Sequence, residues 1–278
     1  MPENNANEKA LDLAKEIVKD VYADGGRPVV QPTGELLGLV PRAVKAALAP
    51  LEKWILQKEY NIAETKKLLE EKLKDTLPEL IQPPEAHVAV PALQYISYCM
   101  DNEELRDMYA NLLANSMNKI VKNGVHPGFV EIIKQLCPDE AKILRYLSQH
   151  TSIPTITLRA QNDKGEGIDF YKNFSNVGEL TGCERPFDVS KYFDNLVRLG
   201  LIGNAAQHSA LTNKKLYEPL KNHKHVLQLC ESVIVQKSPY NNIVKNESYV
   251  FVTSFGKSFC DICLSNKKTI TVEILPRE

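Results

Sequence analysis

The chain has 278 residues, of which 43% are hydrophobic and 25% are charged, and its formal net charge at pH 7 is -1. These values exclude a collagen-like, disordered or disulfide-dense chain, and they give no overall attraction to nucleic acid or to an anionic membrane. A chain of this length can bury a sizeable core and is long enough for two domains.

The first part of the chain alternates helical patterns with turns that contain proline. Asn5–Tyr22 carries apolar residues at helical spacing and ends in a Gly- and Pro-containing turn, so it is predicted to be a helix. Thr33 opens a helical stretch that reaches about Leu77, and Pro41 and Pro50 should bend or divide it. A proline-rich loop is predicted from Pro78 to Pro91.

Three helices are predicted next, at Ala92–Met100, Glu103–Val121 and Gly128–Leu136. From Pro138 the pattern changes, because β-branched runs now alternate with helical ones. Further helices are predicted at Asp139–His150, Ser175–Thr181, Pro186–Leu199, Lys221–Val235 and Ser254 to about Leu264. Strands are predicted at Thr155–Arg159, Leu201–Asn204, Tyr249–Thr253 and Thr269–Leu275.

This order of elements is that of a winged helix, and the fragments YFDNLVRLGLI and YVFVTSFGKSFCDIC resemble winged-helix proteins. The departure is the wing, which is enlarged to residues 205–248. The predicted fold is therefore mainly α and α+β overall. Its predicted parts are a helix and linker at 1–32, a helical domain at 33–137, and a winged-helix-like domain at 138–278.

One amphipathic helix invites a membrane interpretation. Its apolar face consists of Leu36, Leu37, Val40, Val44, Leu48 and Trp54. Arg42 and Lys45 interrupt the apolar run, and a transmembrane helix needs about 20 mostly apolar residues, so no ordinary span is predicted. A helix that lies on a membrane surface is the remaining membrane alternative. Packing in a helical core or an oligomer interface is favoured, because such faces are common in soluble bundles.

A polar set lies between the apolar faces of two neighbouring helices: Asn111, Asn115, His126 and Gln135. Asparagine is unfavourable inside a helix unless its amide finds a partner. These residues are read either as a site for a small ligand or as an interdomain polar junction. The junction is favoured, because buried polar groups usually serve to satisfy hydrogen bonds.

Nucleic-acid binding would fall on the helix at Pro186–Leu199. Its candidate contacts are Lys191, Asn195 and Arg198, with Lys214 and Lys215 of the insertion as candidate phosphate contacts. Asp188 and Asp194 lie on the same helix and disfavour a tight approach to DNA. A protein partner or a homo-oligomer is therefore favoured, and a nucleic-acid-binding regulator stays open as the alternative.

Six cysteines are scattered through apolar patterns: Cys99, Cys137, Cys183, Cys230, Cys260 and Cys263. The polar start of the chain gives no secretory signal, so reduced thiols and a cytoplasmic location are expected. Cys260 and Cys263 form a C-x-x-C, to which His223, His225 and Cys230 could add zinc ligands. Only one pair is regularly spaced, so buried thiols are favoured and neither metal nor cofactor is predicted.

The sequence contains no recognised catalytic motif: it has no nucleophile elbow, phosphate loop or zinc-protease helix. A non-enzymatic protein is expected, with an unrecognised nuclease or hydrolase toxin as a further alternative.

The stretch Thr33 to Leu147 resembles the abortive-infection alpha proteins. The matching segments are ALAPLEKWI, PPEAHVAVPALQYI, ELRDMYANLLANSMNK and VHPGFVEIIKQLCPDEAKIL. The resemblance implies a bacterial protein that acts in defence against bacteriophage. It carries over no catalytic residue. The expected function is a helical effector or oligomerisation region coupled to a winged-helix recognition domain.

Overall fold

The computed structural model describes residues 36–49, 62–150, 152–206, 209–235, 240 and 242–264. The fold is mixed α+β and divides into two compact units. The first unit runs to Gln135 and includes the residues from Asp261 onward, and the second runs from Leu136 to Cys260. Trp54 and the helix and strand predicted at the two ends of the chain lie outside the described residues.

The first unit is helical in its described part. It contains α1 (Leu36–Leu48), α2 (Ile62–Leu73), α3 (Ala86–Ile96), α4 (Glu103–Ser116) and α5 (Gly128–Lys134), with short 3-10 turns at Pro78–Leu80 and Lys122–Gly124. Apolar faces of these helices form its core, in which Leu69, Ile96, Met108, Leu112 and Ile133 are fully buried. Each such side chain contributes about 1.5–3 kcal/mol through its removal from water.

Two prolines lie inside helices rather than ending them. Pro41 lies within α1 and Pro91 within α3. The predicted loop up to Pro91 was therefore wrong in its last part, because α3 already begins at Ala86. A proline removes one backbone donor from a helix, but most helix stability in proteins comes from packing of an apolar face. In α3 that face includes the buried residues Val88 and Ala92.

Helix α4 begins as predicted and ends earlier. The side chain of Asn102 accepts a 3.0 Å hydrogen bond from the backbone N–H of Leu105, which satisfies one of the free donors of the first turn. The prediction that the helix reaches Val121 was wrong, because it ends at Ser116. Beyond it the chain forms a bridge to Ile81, in which the N–H of Gln82 donates to the carbonyl of Met117 at 2.8 Å.

In the second unit, helices are interspersed along the chain with the strands of one antiparallel sheet. Its elements are α6 (Pro138–Ser148), β1 (Ser152–Gln161), β2 (Gly167–Phe174), α7 (Val177–Leu180), α8 (Val189–Arg198), β3 (Ile202–Asn204), α9 (Glu218–Lys221), α10 (Lys224–Val235), β4 (Asn242–Val252) and α11 (Ser254–Cys263). The sheet order is β2-β1-β4-β3. Thr155 of β1 lies opposite Ser248 of β4, and Ile202 of β3 lies opposite Val252.

Strand β2 was not predicted from the sequence. It lies at an edge of the sheet, its register with β1 shifts between Ile156 and Arg159, and Asn173 has a φ of 52°. These irregularities break the alternation that marks a strand in a sequence. The hairpin of β1 and β2 therefore adds an edge strand to the predicted sheet.

The insertion between β3 and β4 packs on one face of the sheet. Its side chains Tyr217, Leu220, Val226 and Cys230 form a buried cluster with Ile156, Leu158 and Phe174 of β1 and β2. Side chains alternate along a strand, so Ile153 and Thr155 of β1 point to the opposite face. The predicted helix at Lys221–Val235 is found as α10, which begins at Lys224 after the short helix α9. The insertion covers the sheet rather than extending from it.

A threonine and a glycine fix the turn from β4 into α11. The hydroxyl of Thr253 donates to the carbonyl of Gly200 at 2.6 Å and accepts from the N–H of Gly256 at 2.9 Å. A Cβ atom at position 256 would lie 1.9 Å from the carbonyl oxygen of Leu201. Only glycine permits this close approach of two backbone segments.

Candidate functional site

The turn between α7 and α8 is held by the carboxylate of Asp139. This side chain is buried in the first turn of α6, with 6% of its surface exposed. Its oxygens accept hydrogen bonds from the N–H groups of Glu184 and Arg185, at 2.9 and 3.0 Å, and from the hydroxyl of Tyr192 at 2.9 Å. One carboxylate therefore positions both the turn and the start of α8.

These contacts keep Asp139 ionised. Burial by itself would raise the pKa of its carboxyl, but the backbone N–H groups of Arg185 and Glu184 hold that pKa below its ordinary value, with help from Tyr192 and Lys142. The Lys142 ammonium lies 3.8 Å from the same carboxylate. Burial and the neighbouring Asp139 charge in turn raise the pKa of Tyr192, which stays a neutral hydrogen-bond donor.

A second buried acid, Glu140, orients the predicted contact residue Asn195. One oxygen of Glu140 accepts from the N–H of Cys137 at 2.8 Å, which closes a capping box at the start of α6. The other oxygen accepts from the Asn195 amide at 2.9 Å. Asn195 is therefore turned toward α6, and it serves to fix α8 rather than to face solvent.

The outward face of α8 mixes both signs of charge. Lys191, Asp194 and Arg198 are exposed. The Lys191 ammonium lies 3.0 Å from the Asp188 carboxylate, and the Arg198 guanidinium donates to the side-chain oxygen of Asn195 at 2.6 and 3.0 Å. The two predicted basic contacts are therefore engaged by neighbours within α8 or directly before it.

The predicted phosphate contacts of the insertion differ from one another. Lys214 and Lys221 flank Glu247 of β4, at 2.6 and 2.7 Å, and these hydrogen bonds lower the pKa of the Glu247 carboxyl. Nearby, the Tyr217 hydroxyl donates to the carbonyl of Ser248 at 2.8 Å. Lys214 thus ties the insertion to the sheet, whereas the Lys215 side chain is exposed.

The four residues of the predicted polar set in the first unit bond to different backbone groups. The amides of Asn111 and Asn115 donate to the carbonyls of Cys263 and Ile262, at 2.9 and 2.7 Å, and so cap the end of α11. Elsewhere His126 accepts from the N–H of Gly128 at 3.0 Å, and Gln135 donates to the carbonyl of Glu131 at 2.9 Å. The four side chains do not form one cluster through these bonds.

The amphipathic helix α1 buries its apolar face within the first unit. Val40, Val44 and Leu48 are 7%, 0% and 7% exposed. A membrane or oligomer contact made by these three side chains would require them to leave this core. Among the described residues, no helix combines the length and the apolar character needed to cross a bilayer. Leu36 and Leu37 fall in the first turn of α1.

The cysteines of the C-x-x-C motif lie in the interior. Cys260 and Cys263 are buried, as are Cys183 and Cys230. In the part of the chain that the structure describes, no three His, Cys, Asp or Glu side chains are placed to hold a metal ion. His223 instead lies 2.7 Å from the Glu179 carboxylate.

Sequence patterns missed the residues that position this site. Asp139, Glu140 and Glu247 are acids, and an acid in a sequence usually indicates a solvated surface. One signal was available: Pro138 followed by two acids is typical of the first turn of a helix. The partners in the turn before α8, more than forty residues away, leave no such local mark.

The geometry defines a two-unit α+β protein whose second unit presents a short helix on a buried anionic anchor. The sequence profile of the abortive infection alpha family matches residues 57–263, which is most of the chain. The chain therefore belongs to the abortive infection alpha family.

Among solved structures, an uncharacterized protein from the hydrocarbon-degrading marine bacterium Alcanivorax borkumensis SK2 is similar over 49% of this chain and 92% of its own. Its sequence identity is 17% and its TM-score is 0.37. No curated protein matches the chain.

Proposed function

We propose that the chain is a non-enzymatic anti-phage protein of the bacterial cytoplasm, in which the second unit recognises a protein partner through α8. Membership of the abortive infection alpha family carries the defence role. The helical first unit is the effector or oligomerisation region in this account, and the second unit is a winged-helix recognition domain with an added hairpin strand and an enlarged, folded wing.

The order of elements supports the winged-helix assignment. Helix α6 leads into β1, the helix pair α7 and α8 follows, and β3 and β4 close the unit. The sheet sets β4 between β1 and β3, the arrangement expected when the last strand of a winged helix returns between the first two. The carboxylate of Asp139 fixes the turn of the helix pair, so α8 is held as a rigid element.

The charges on α8 favour a protein partner over nucleic acid. A helix that reads the major groove presents arginine, lysine or amide groups to the bases and phosphates. Here Lys191 is paired with Asp188, the Asn195 amide donates a hydrogen bond to Glu140, and Asp194 is exposed. A mixed-charge face of this kind suits a protein surface, where complementary charges set specificity.

A charge swap on α8 tests this proposal. In the variant Lys191→Glu with Asp194→Lys, two exposed positions exchange sign and the net charge is unchanged. The matched control is Asp163→Lys with Lys164→Glu, because both residues are exposed in the turn between β1 and β2. Phage plating on cells that carry each version should show protection lost with the α8 swap and retained with the control swap.

Equal protection by both swaps would remove α8 as the recognition surface. A shift of DNA or RNA by the purified wild-type protein at low salt, with affinity falling steeply as salt rises, would favour the regulator alternative.

A further inference from the structure

Two histidines join the insertion to the segment that leads into α8. His225 lies in the first turn of α10, and its ring stacks on that of Phe187 with centroids 4.3 Å apart and planes at 13°. The ring of His223 lies 5.1 Å from that of Phe174, at the end of β2. Phe187 comes two residues before α8, so these contacts bridge three parts of the second unit.

The polar contacts of His223 fix the orientation of its ring beside His225. Its Nδ1 atom accepts a 3.2 Å hydrogen bond from the backbone N–H of His225, and its Nε2 atom lies 2.7 Å from the Glu179 carboxylate. A nitrogen that accepts a hydrogen bond carries no proton, so the proton of the neutral ring lies on Nε2 and is donated to Glu179. The Nδ1 bond therefore ties His223 to the start of α10.

The surroundings of His225 are mainly apolar and aromatic. Burial lowers the pKa of its imidazole, the neighbouring His223 lowers it further, and Glu179 opposes both effects. The ring of Tyr171 lies 6.1 Å from that of His225, and its hydroxyl donates to the carbonyl of Phe187 at 2.5 Å. A positive charge on His225 would thus enter a setting with little to stabilise it.

Asp188 and Lys221, the neighbours of Phe187 and of the histidines in sequence, form ion pairs with other residues. Asp188 pairs with Lys191, and Lys221 pairs with Glu247 and Glu218. The Lys224 side chain, next to both histidines in sequence, is exposed and adds positive charge to this end of α10. Glu179 is the carboxylate that faces the histidine pair.

We propose that His223 and His225, with Glu179 and Phe187, form an acid-responsive latch that is closed at neutral pH and opens on protonation of His225. Closed, the latch holds the start of α10 against Phe187. Open, it carries an imidazolium charge on His225 in its apolar setting, and it frees the segment that precedes α8. The latch is a property of the second unit and does not depend on the defence role.

Hydrogen exchange of the full chain tests the latch directly. Protection of the amides in residues 183–189 and 222–229 is compared at pH about 7.5 and about 5.5, on either side of the ordinary histidine pKa of about 6.5, after correction for the intrinsic rate. The wild-type protein should lose protection several-fold in both segments at the lower pH. The variant His225→Phe keeps an aromatic ring on Phe187 but cannot be charged, so the loss should largely disappear.

The matched control is His150→Phe, because His150 is exposed and stacks on Tyr146 at 4.0 Å in α6, away from the latch. This variant should behave as wild type. The same several-fold loss in His225→Phe, or no loss in wild type, would overturn the latch.

A second measurement does not depend on any variant folding. The imidazole of His225, followed by NMR in the wild-type protein, should titrate below the ordinary histidine range, because its charged form is disfavoured. A midpoint within or above that range would also overturn the proposal.

Discussion

The hydroxyl of Tyr192 donates a 2.9 Å hydrogen bond to the buried carboxylate of Asp139. This bond joins the first turn of α8 to the first turn of α6, across more than fifty residues of sequence. The same carboxylate accepts two backbone N–H groups from the turn before α8. Asp139 is therefore the central anchor of the proposed recognition helix.

Replacement of Asp139 by asparagine should lower the free energy of unfolding of the second unit by about 2–4 kcal/mol, because buried donors lose a charged acceptor. Urea denaturation followed by circular dichroism measures this loss. Asp163→Asn is the control, since Asp163 is exposed, and it should stay within about 0.5 kcal/mol of wild type. Equal stability of the two variants would show that the anchor contributes little.

Asp139 should also make the stability depend on pH. Its folded pKa is lowered, so as the pH falls the unfolded chain takes up the proton first. The stabilisation is complete above the unfolded pKa of about 3.9 and is lost as the pH falls through the folded pKa. Unfolding free energies measured between neutral and acidic pH should fall more steeply for wild type than for Asp139→Asn. Parallel curves would refute this role.

The hydroxyl of Thr155 is fully buried and has no hydrogen-bond partner among the described residues. Thr155→Val keeps the shape and removes the unsatisfied group, so it should raise the free energy of unfolding by about 1 kcal/mol. Thr157 offers a matched control on the same strand, because its hydroxyl accepts from the N–H of Asn173 at 3.3 Å. Thr157→Val should be neutral or destabilising. Thermal unfolding measures both variants, and a melting temperature of Thr155→Val at or below that of wild type would contradict the prediction.

Gly256 should not tolerate a side chain. A Cβ atom there would lie 1.9 Å from the carbonyl oxygen of Leu201, so Gly256→Ala must displace backbone and should cost about 2–4 kcal/mol. At Gly124 the nearest atom, on Ile262, would be 3.4 Å away, and Gly124→Ala should change stability by less than about 1 kcal/mol. Similar melting temperatures for the two variants would contradict the close approach of the first turn of α11 and the loop after α8.

Elements with a strong, regular hydrophobic pattern were the ones that could be predicted from the sequence. The faces of α4 and α8 and the alternation in β1 repeat at regular spacing. Helix α8 and strand β1 were found close to their predicted positions, and α4 was found with its predicted start. Helix α3 was predicted to start late, because Pro91 was read as a loop residue although it lies inside the helix. Strand β2 was missed, because its register shift and the positive φ of Asn173 interrupt the pattern.

The candidate site was less accessible to sequence reasoning than the fold. Lys191 and Arg198 were correctly placed on an exposed face, but the orientation of Asn195 depends on Glu140, which is distant in sequence. Lys214 was read as a phosphate contact, whereas in the structure it is paired with Glu247. Local patterns predict which residues are polar, and only the tertiary structure decides which of them meet.

The phage yield per infected cell reports both on the defence role and on recognition through α8. Cells that carry the wild-type chain, the α8 charge swap or the matched control swap are infected at low and at high ratios of phage to cells. We expect a strongly reduced yield with wild type and with the control swap, and a normal yield with the α8 swap at equal protein levels. A normal yield with the wild-type chain across a broad panel of phages would contradict the defence role. A reduced yield with the α8 swap would contradict recognition through α8.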